Sequence, residues 1–175
     1  MPAAFDPARR LLTAAVASSA AGLLLGGLST STRAAPAQRG EAIAWPTVTL
    51  TDGSRLDAQA LRGIGTVVVF FDTGCSYCKR HNPRMEQLVR RHPGAPLRVV
   101  LAAHDRSLAP VRDYMARLAP SLDATLDAAP LHAALSERRI VPLTCVIDRS
   151  GLLREVIPGE MAEDDVMGLI KWTTT

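Results

Sequence analysis

The residues Thr66-Val-Val-Val-Phe-Phe71 form an unbroken apolar, β-branched and aromatic run, and shortly after it Cys75-Ser-Tyr-Cys78 opens a stretch of helical period. A continuous run of this kind suits a central strand covered on both faces rather than one facing water. From Cys75 onward, Cys78, Met85, Leu88 and Val89 fall on one stripe until His92-Pro93-Gly94 stops the helix. A buried strand that hands over to a helix bearing two thiols on its first turn leaves few folds open.

The same alternation continues. Leu97 to Ala103 reads as a second buried strand, and Val111, Tyr114, Met115 and Leu118 mark an amphipathic helix closed by Pro120. A shorter helix is predicted from Leu131 to Glu137. Strand Leu143 to Ile147, a turn at Asp148-Arg-Ser-Gly151 and strand Leu152 to Ile157 then form an antiparallel hairpin. The last predicted helix runs from about Glu160 to Trp172, with acids at its start and Lys171 at its end, as the helix dipole prefers. Ahead of these, Thr47 to Leu50 alternates as an edge strand does, followed by a turn at Thr51-Asp-Gly-Ser54. The fold class expected is α/β, with a central mixed β-sheet flanked by helices on both faces.

The N-terminus reads as a targeting segment. Arg9 and Arg10 precede a charge-free stretch from Leu11 to Leu28, and small residues end at Ala35-Pro36-Ala37. Residues 1–37 are expected to be a signal peptide cut after Ala37, or else a single membrane anchor; residues 38–44 a polar linker; and residues 45–175 one domain. Either form of leader places the domain in the periplasm or elsewhere outside the cytoplasm. Three arginines and one acid of the formal +3 charge lie in the leader, which leaves the domain at about +1. Near-neutrality, with only 4% aromatic residues, gives no footing for nucleic acid.

Outside the cytoplasm thiols meet oxidants, so the three cysteines carry weight. Cys75 and Cys78 are separated by two residues at a helix start, where the first turn brings their sulfurs within bonding reach. The N-terminal thiol meets unpaired backbone N–H groups and the positive end of the helix dipole, which favour a thiolate, the nucleophile of disulfide exchange. Cys75 is therefore the attacking candidate and Cys78, facing the core stripe, the resolving one. A structural disulfide and half of a zinc site stay open as alternatives, although zinc needs two further ligands and no second cysteine pair exists. Copper handling is a further alternative, since two thiolates near His81 suit Cu(I). Cys145, inside an apolar strand, is expected to be buried and inert.

A proline, Pro142, begins the strand after Val141, a placement tolerated at sheet edges. Together with the cysteine pair, the motifs Leu61-Arg-Gly63, Phe71-Asp-Thr-Gly-Cys-Ser-Tyr-Cys-Lys-Arg80, Pro83, Leu126-Asp127 and Val141-Pro-Leu-Thr-Cys-Val-Ile-Asp-Arg-Ser-Gly151 resemble the TlpA-like branch of exported proteins of thioredoxin-like fold. The resemblance spans about Trp45 to Trp172. It implies disulfide reduction or exchange in exported proteins, apocytochrome c among them, with no cofactor beyond a redox-active Cys75–Cys78 disulfide and no metal. It further implies a membrane-bound electron donor of the DsbD-like kind and a monomer. It carries over Cys75 as nucleophile, Cys78 as resolving thiol and Pro142 as a cis-proline beside the sulfurs.

The sequence also departs from that pattern. Gly74 stands where a tryptophan is usual, Phe71 where another is common, and Val69 where cytoplasmic thioredoxins have a buried acid. His81 occupies the place where many relatives have a glutamate. His81 and Asp72 are accordingly the candidates for a proton relay serving the thiols.

Overall fold

The computed structural model of this chain describes residues 35–173, so all but the last three residues of the leader expected over 1–37 lie outside the described residues. In chain order the elements are β1 (Val48–Thr49), β2 (Arg55–Leu56), β3 (Gly65–Phe71), α1 (Ser76–Arg91), β4 (Leu97–Ala103), α2 (Leu108–Leu118), β5 (Asp123–Thr125), α3 (Ala128–Leu135), β6 (Leu143–Ile147), β7 (Leu153–Pro158), α4 (Glu163–Met167) and a closing 3₁₀ turn (Gly168–Thr173). Five strands make one sheet in the order β5-β4-β3-β6-β7, while β1 and β2 pair separately as a small antiparallel hairpin. Strand β3 runs parallel to β4 and antiparallel to β6, and all seven of its residues are buried. The α/β architecture with a mixed sheet between helices is the one the sequence predicts.

Alternation along β3 divides the interior in two. Val67, Val69 and Phe71 enter a core with Cys78, Met85 and Leu88 of α1, Val111, Tyr114 and Met115 of α2, and Val166 of α4. Val68 and Phe70 enter the other core, with Leu131 and Leu135 of α3 and Val48 and Leu56 of the hairpin. Each such side chain contributes about 1.5–3 kcal/mol by leaving water. The run therefore fixes the central position of β3, and with it the loop to α1 at the carboxyl edge of the sheet.

Several boundaries move from their predicted places for identifiable reasons. The last helix begins at Glu163, not Glu160, because Glu160 and Met161 are engaged elsewhere: the Glu160 carboxylate by Arg80 and Arg84, the Met161 N–H by His81. It tightens into the 3₁₀ turn at Gly168. Helix α3 starts at Ala128 and ends at Leu135, three and two residues ahead of expectation. Strand β5 has only three residues, too few to leave a periodic signal in the sequence.

The segment 38–44 is not a free linker. Gly40 N–H donates to Leu153 O at 2.7 Å, Leu153 N–H to Glu41 O at 2.9 Å and Ile43 N–H to Gly151 O at 3.0 Å, so its backbone satisfies itself along β7. At the same end of the sheet a Cβ on Gly65 would lie 2.9 Å from Trp172 O. The start of β3 and the C-terminal turn pack backbone to backbone there.

Candidate active site

Cys75 is the N-cap of α1, with extended φ and ψ of −73° and 118°. The loop that delivers it is tied down on both sides. Asp72 Oδ1 accepts the Gly74 N–H at 2.7 Å and Asp72 O accepts the Cys75 N–H at 3.1 Å. Asp105, just past β4, accepts from both the backbone N–H and the hydroxyl of Thr73, at 3.1 and 2.5 Å. Asp72 thus shapes the turn before the cysteine through hydrogen bonds, and Asp105 fixes that turn to the neighbouring strand.

The two thiols are in unlike surroundings. Cys75 is partly exposed, and its Sγ accepts the backbone N–H of Cys78 at 3.2 Å. No acid lies in the first turn of α1 itself, so no carboxylate carried by the helix offsets the positive end of its dipole. Cys75 Sγ also lies 3.9 Å from the carbonyl oxygen of Val141, within reach of a weak S–H donor. Cys78 has no exposed surface, and burial, reinforced by its hydrogen bond with Cys75, pushes its thiol up to about 12. Its backbone carbonyl accepts the Tyr114 hydroxyl proton at 2.9 Å, and that hydroxyl accepts from Asn82 Nδ2 at 3.0 Å. This buried Asn82–Tyr114 pair braces the first turn of α1 from α2. No sequence motif marks either residue as part of the site.

Pro142 meets the site as expected in position. The Val141–Pro142 bond is cis, and Pro142 O accepts the Gly159 N–H at 2.8 Å. Beside it opens a groove of about 550 Å³ bordered by Tyr77, Ile140 and Pro142, with Glu160 and Met161 among the residues opposite. Tyr77 and Ile140, at 57% and 46% exposure, are the large apolar side chains most open to water among the described residues, and they border this one groove. Arg80 lies over the Tyr77 ring at 4.8 Å and, with Arg84, holds the Glu160 carboxylate at 2.7 Å.

His81 corrects the sequence expectation. It is buried, its Nδ1 accepts the Met161 N–H at 3.2 Å, and its Nε2 lies 3.1 Å from Thr144 Oγ1. An N–H aimed at Nδ1 requires that nitrogen to be unprotonated, so Nε2 carries the proton and donates to Thr144. Burial, with the Arg84 charge nearby, takes the imidazole down to about 4. A ring with both nitrogens engaged and no titration near neutrality does not serve as a proton carrier there. It also offers no free nitrogen to a metal at the thiols, so the copper reading loses its imidazole. Cys145 enters the core on the opposite face of the sheet from Cys78, and burial raises its thiol to about 12.

A partly exposed thiol at the N-cap of a helix, a buried partner one turn in and a cis X-Pro bond against the first sulfur, on this sheet, define a thiol–disulfide oxidoreductase of thioredoxin-like fold. No protein-family model matches the chain. It is homologous to the thiol-disulfide oxidoreductase ResA of Bacillus subtilis (strain 168), 26% identical over 124 residues that cover 69% of each chain. The crystal structure of a thiol:disulfide interchange protein of the thioredoxin family from Chlorobium tepidum TLS superposes with a TM-score of 0.67 at 23% identity, covering 81% of this chain and 100% of that one. A secreted thiol-disulfide isomerase from Corynebacterium glutamicum superposes with a TM-score of 0.69 at 12% identity, covering 76% and 86%.

Proposed function

We propose that this chain reduces or exchanges disulfides of exported proteins outside the cytoplasm. The observation that carries the reading is the asymmetry of the thiols: Cys75 is presented at a helix N-terminus beside an open groove, and Cys78 is withheld in the core. The Cys75 thiolate attacks one sulfur of a substrate disulfide, forming a mixed disulfide and expelling the other sulfur as thiolate. Cys78 then gives up its proton and attacks Cys75 Sγ, releasing the second substrate thiolate and leaving a Cys75–Cys78 disulfide. Two electrons have passed to the substrate. A membrane-bound dithiol donor, of the DsbD-like kind the family resemblance implies, returns the pair to its reduced state, and apocytochrome c is one substrate of suitable chemistry.

The groove favours an extended segment carrying an apolar side chain next to its cysteine, because Tyr77 and Ile140 give it apolar borders and Pro142 lies beside the attacking sulfur. Equilibrating the full chain with glutathione buffers and reading the Cys75–Cys78 couple tests the direction of electron flow. A potential near the −270 mV of thioredoxin supports the reductant, and one near the −120 mV of DsbA makes the protein an oxidant instead.

A further inference from the structure

Arg80 and Arg84, one turn apart on α1, both reach across to a single carboxylate, that of Glu160. Arg80 engages it through Nε and Nη2 at 3.1 and 2.7 Å. Arg84 engages it through Nη1 at 2.7 Å, and the same nitrogen donates to Met161 O at 2.6 Å. The hydrogen bond from Arg80 holds the Glu160 carboxyl below the usual carboxylate range, so it is ionised at neutral pH. Two guanidinium charges on one carboxylate leave the cluster with a net charge of +1. Among the described residues no second acid borders the groove to balance it.

A guanidinium carries five N–H donors. The contacts to Glu160 and Met161 leave Nη1 of Arg80, and Nε and Nη2 of Arg84, without an acceptor among the described residues. Neither side chain is closed to water, Arg80 being 52% exposed and Arg84 27%. Both are nevertheless held in place, because Glu160 grips the two of them and Arg80 lies over the Tyr77 ring. Planar forks fixed in this way are matched to a carboxylate, which accepts two parallel hydrogen bonds from such a group.

We propose that Arg80 and Arg84 form a receptor for a carboxylate side chain, so that the preferred substrates carry Asp or Glu close in sequence to the cysteine that Cys75 attacks. The inference rests on the exchange reading and names which exported segments the groove takes. A second carboxylate brings the cluster to two positive and two negative charges, whereas a lysine in its place meets only repulsion. Arg80 and Arg84 follow Cys75 by five and nine positions. That is about 7.5 and 13.5 Å of helix rise, and an extended segment advances ~3.3 Å per residue, so the acid falls about two to four residues from the substrate cysteine. Tyr77 and Ile140 take the apolar side chain between them, and the arginines read the charge beyond it.

The test uses the reduced full chain and peptides whose one cysteine is capped as a neutral 2-pyridyl disulfide, identical except for Glu, Gln or Lys three residues from that cysteine. Release of 2-thiopyridone reports the rate of attack by Cys75. The Glu peptide should react roughly three- to tenfold faster than the Gln peptide, with the Lys peptide slowest. Raising the salt from about 20 mM to about 0.5 M should shrink that preference. In the chain carrying Arg80→Gln and Arg84→Gln the Glu and Gln peptides should react alike, and taking their ratio cancels any change that loss of the Arg80 charge makes at Cys75 itself. Arg80 is the more exposed of the two, so Arg80→Gln alone decides the matter should the double variant fail to fold. Equal rates for Glu and Gln peptides in the parent chain, or a preference that survives in the variants, would overturn the receptor while leaving disulfide exchange standing. Failure to attack any of the peptides would remove the exchange reading and the receptor with it.

Discussion

The backbone N–H of Cys78 points at the sulfur of Cys75 across 3.2 Å, so the residue that resolves the mixed disulfide also stabilises the thiolate that begins it. The same turn of helix that exposes one sulfur buries the other. Reaction order is built into that geometry.

Thiol chemistry should follow the burial. A buried thiol pushed up to about 12 is protonated at pH 7 to 8 and closed to an added reagent, and in the reduced, folded protein this holds for Cys78 and Cys145 alike. Brief treatment of the reduced, folded protein with iodoacetamide at pH 7.5 should label Cys75 alone, with Cys78 and Cys145 labelled only after denaturation. Peptide mass mapping reads the result, and early labelling of Cys145 would contradict its placement in the core.

The roles of the pair are separable by mutation. Cys75→Ser should reduce insulin disulfide reduction to the uncatalysed background. Cys78→Ser should keep the first attack and accumulate covalent complexes with exported proteins, visible as high-mass species that a reductant dissolves. Their masses would identify substrates. Trapping by Cys75→Ser in place of Cys78→Ser would reverse the assignment.

His81 should register in stability rather than in catalysis. Its imidazole titrates at about 4 when folded and at about 6.5 when free, so below pH 6.5 the unfolded chain takes up a proton that the native one refuses. The stability it confers is complete above pH 6.5 and is lost as the pH falls towards 4, by roughly 2 kcal/mol between pH 7 and 5. Urea denaturation at the two pH values should show that loss in the parent protein and a smaller one in His81→Gln. Release of the mixed disulfide between pH 6 and 8 should keep the same pH dependence in both, and a changed profile there would restore the proton relay.

Gly65→Ala tests the closure of the domain. The added Cβ meets the Trp172 carbonyl oxygen at 2.9 Å, and a backbone atom yields only if the 3₁₀ turn shifts. Thermal unfolding should report a loss of about 1–3 kcal/mol, with faster proteolysis near the C-terminus. An unchanged melting temperature would mean that the turn is more loosely seated than its contacts indicate.

The central strand, the helix that follows it and the cysteines on that helix's first turn were legible in the sequence, because each is a local pattern: an apolar run, a 3.6-residue stripe, a two-residue spacing. So was the β6–β7 hairpin, whose turn residues lie between two apolar runs. Long-range packing decided the rest. The partners of His81 are Thr144 and Met161, 63 and 80 positions away, and they fix its tautomer and remove it from neutral titration. Thr73 waits on Asp105 and the Cys78 carbonyl on Tyr114, contacts that exist only once β4 and α2 lie beside α1. The apolar run around Cys145 marks it in sequence as a buried, inert thiol, but not which face of the sheet it enters. The antiparallel register that sets it opposite Val68 decides that, turning it to the far face from the reactive pair.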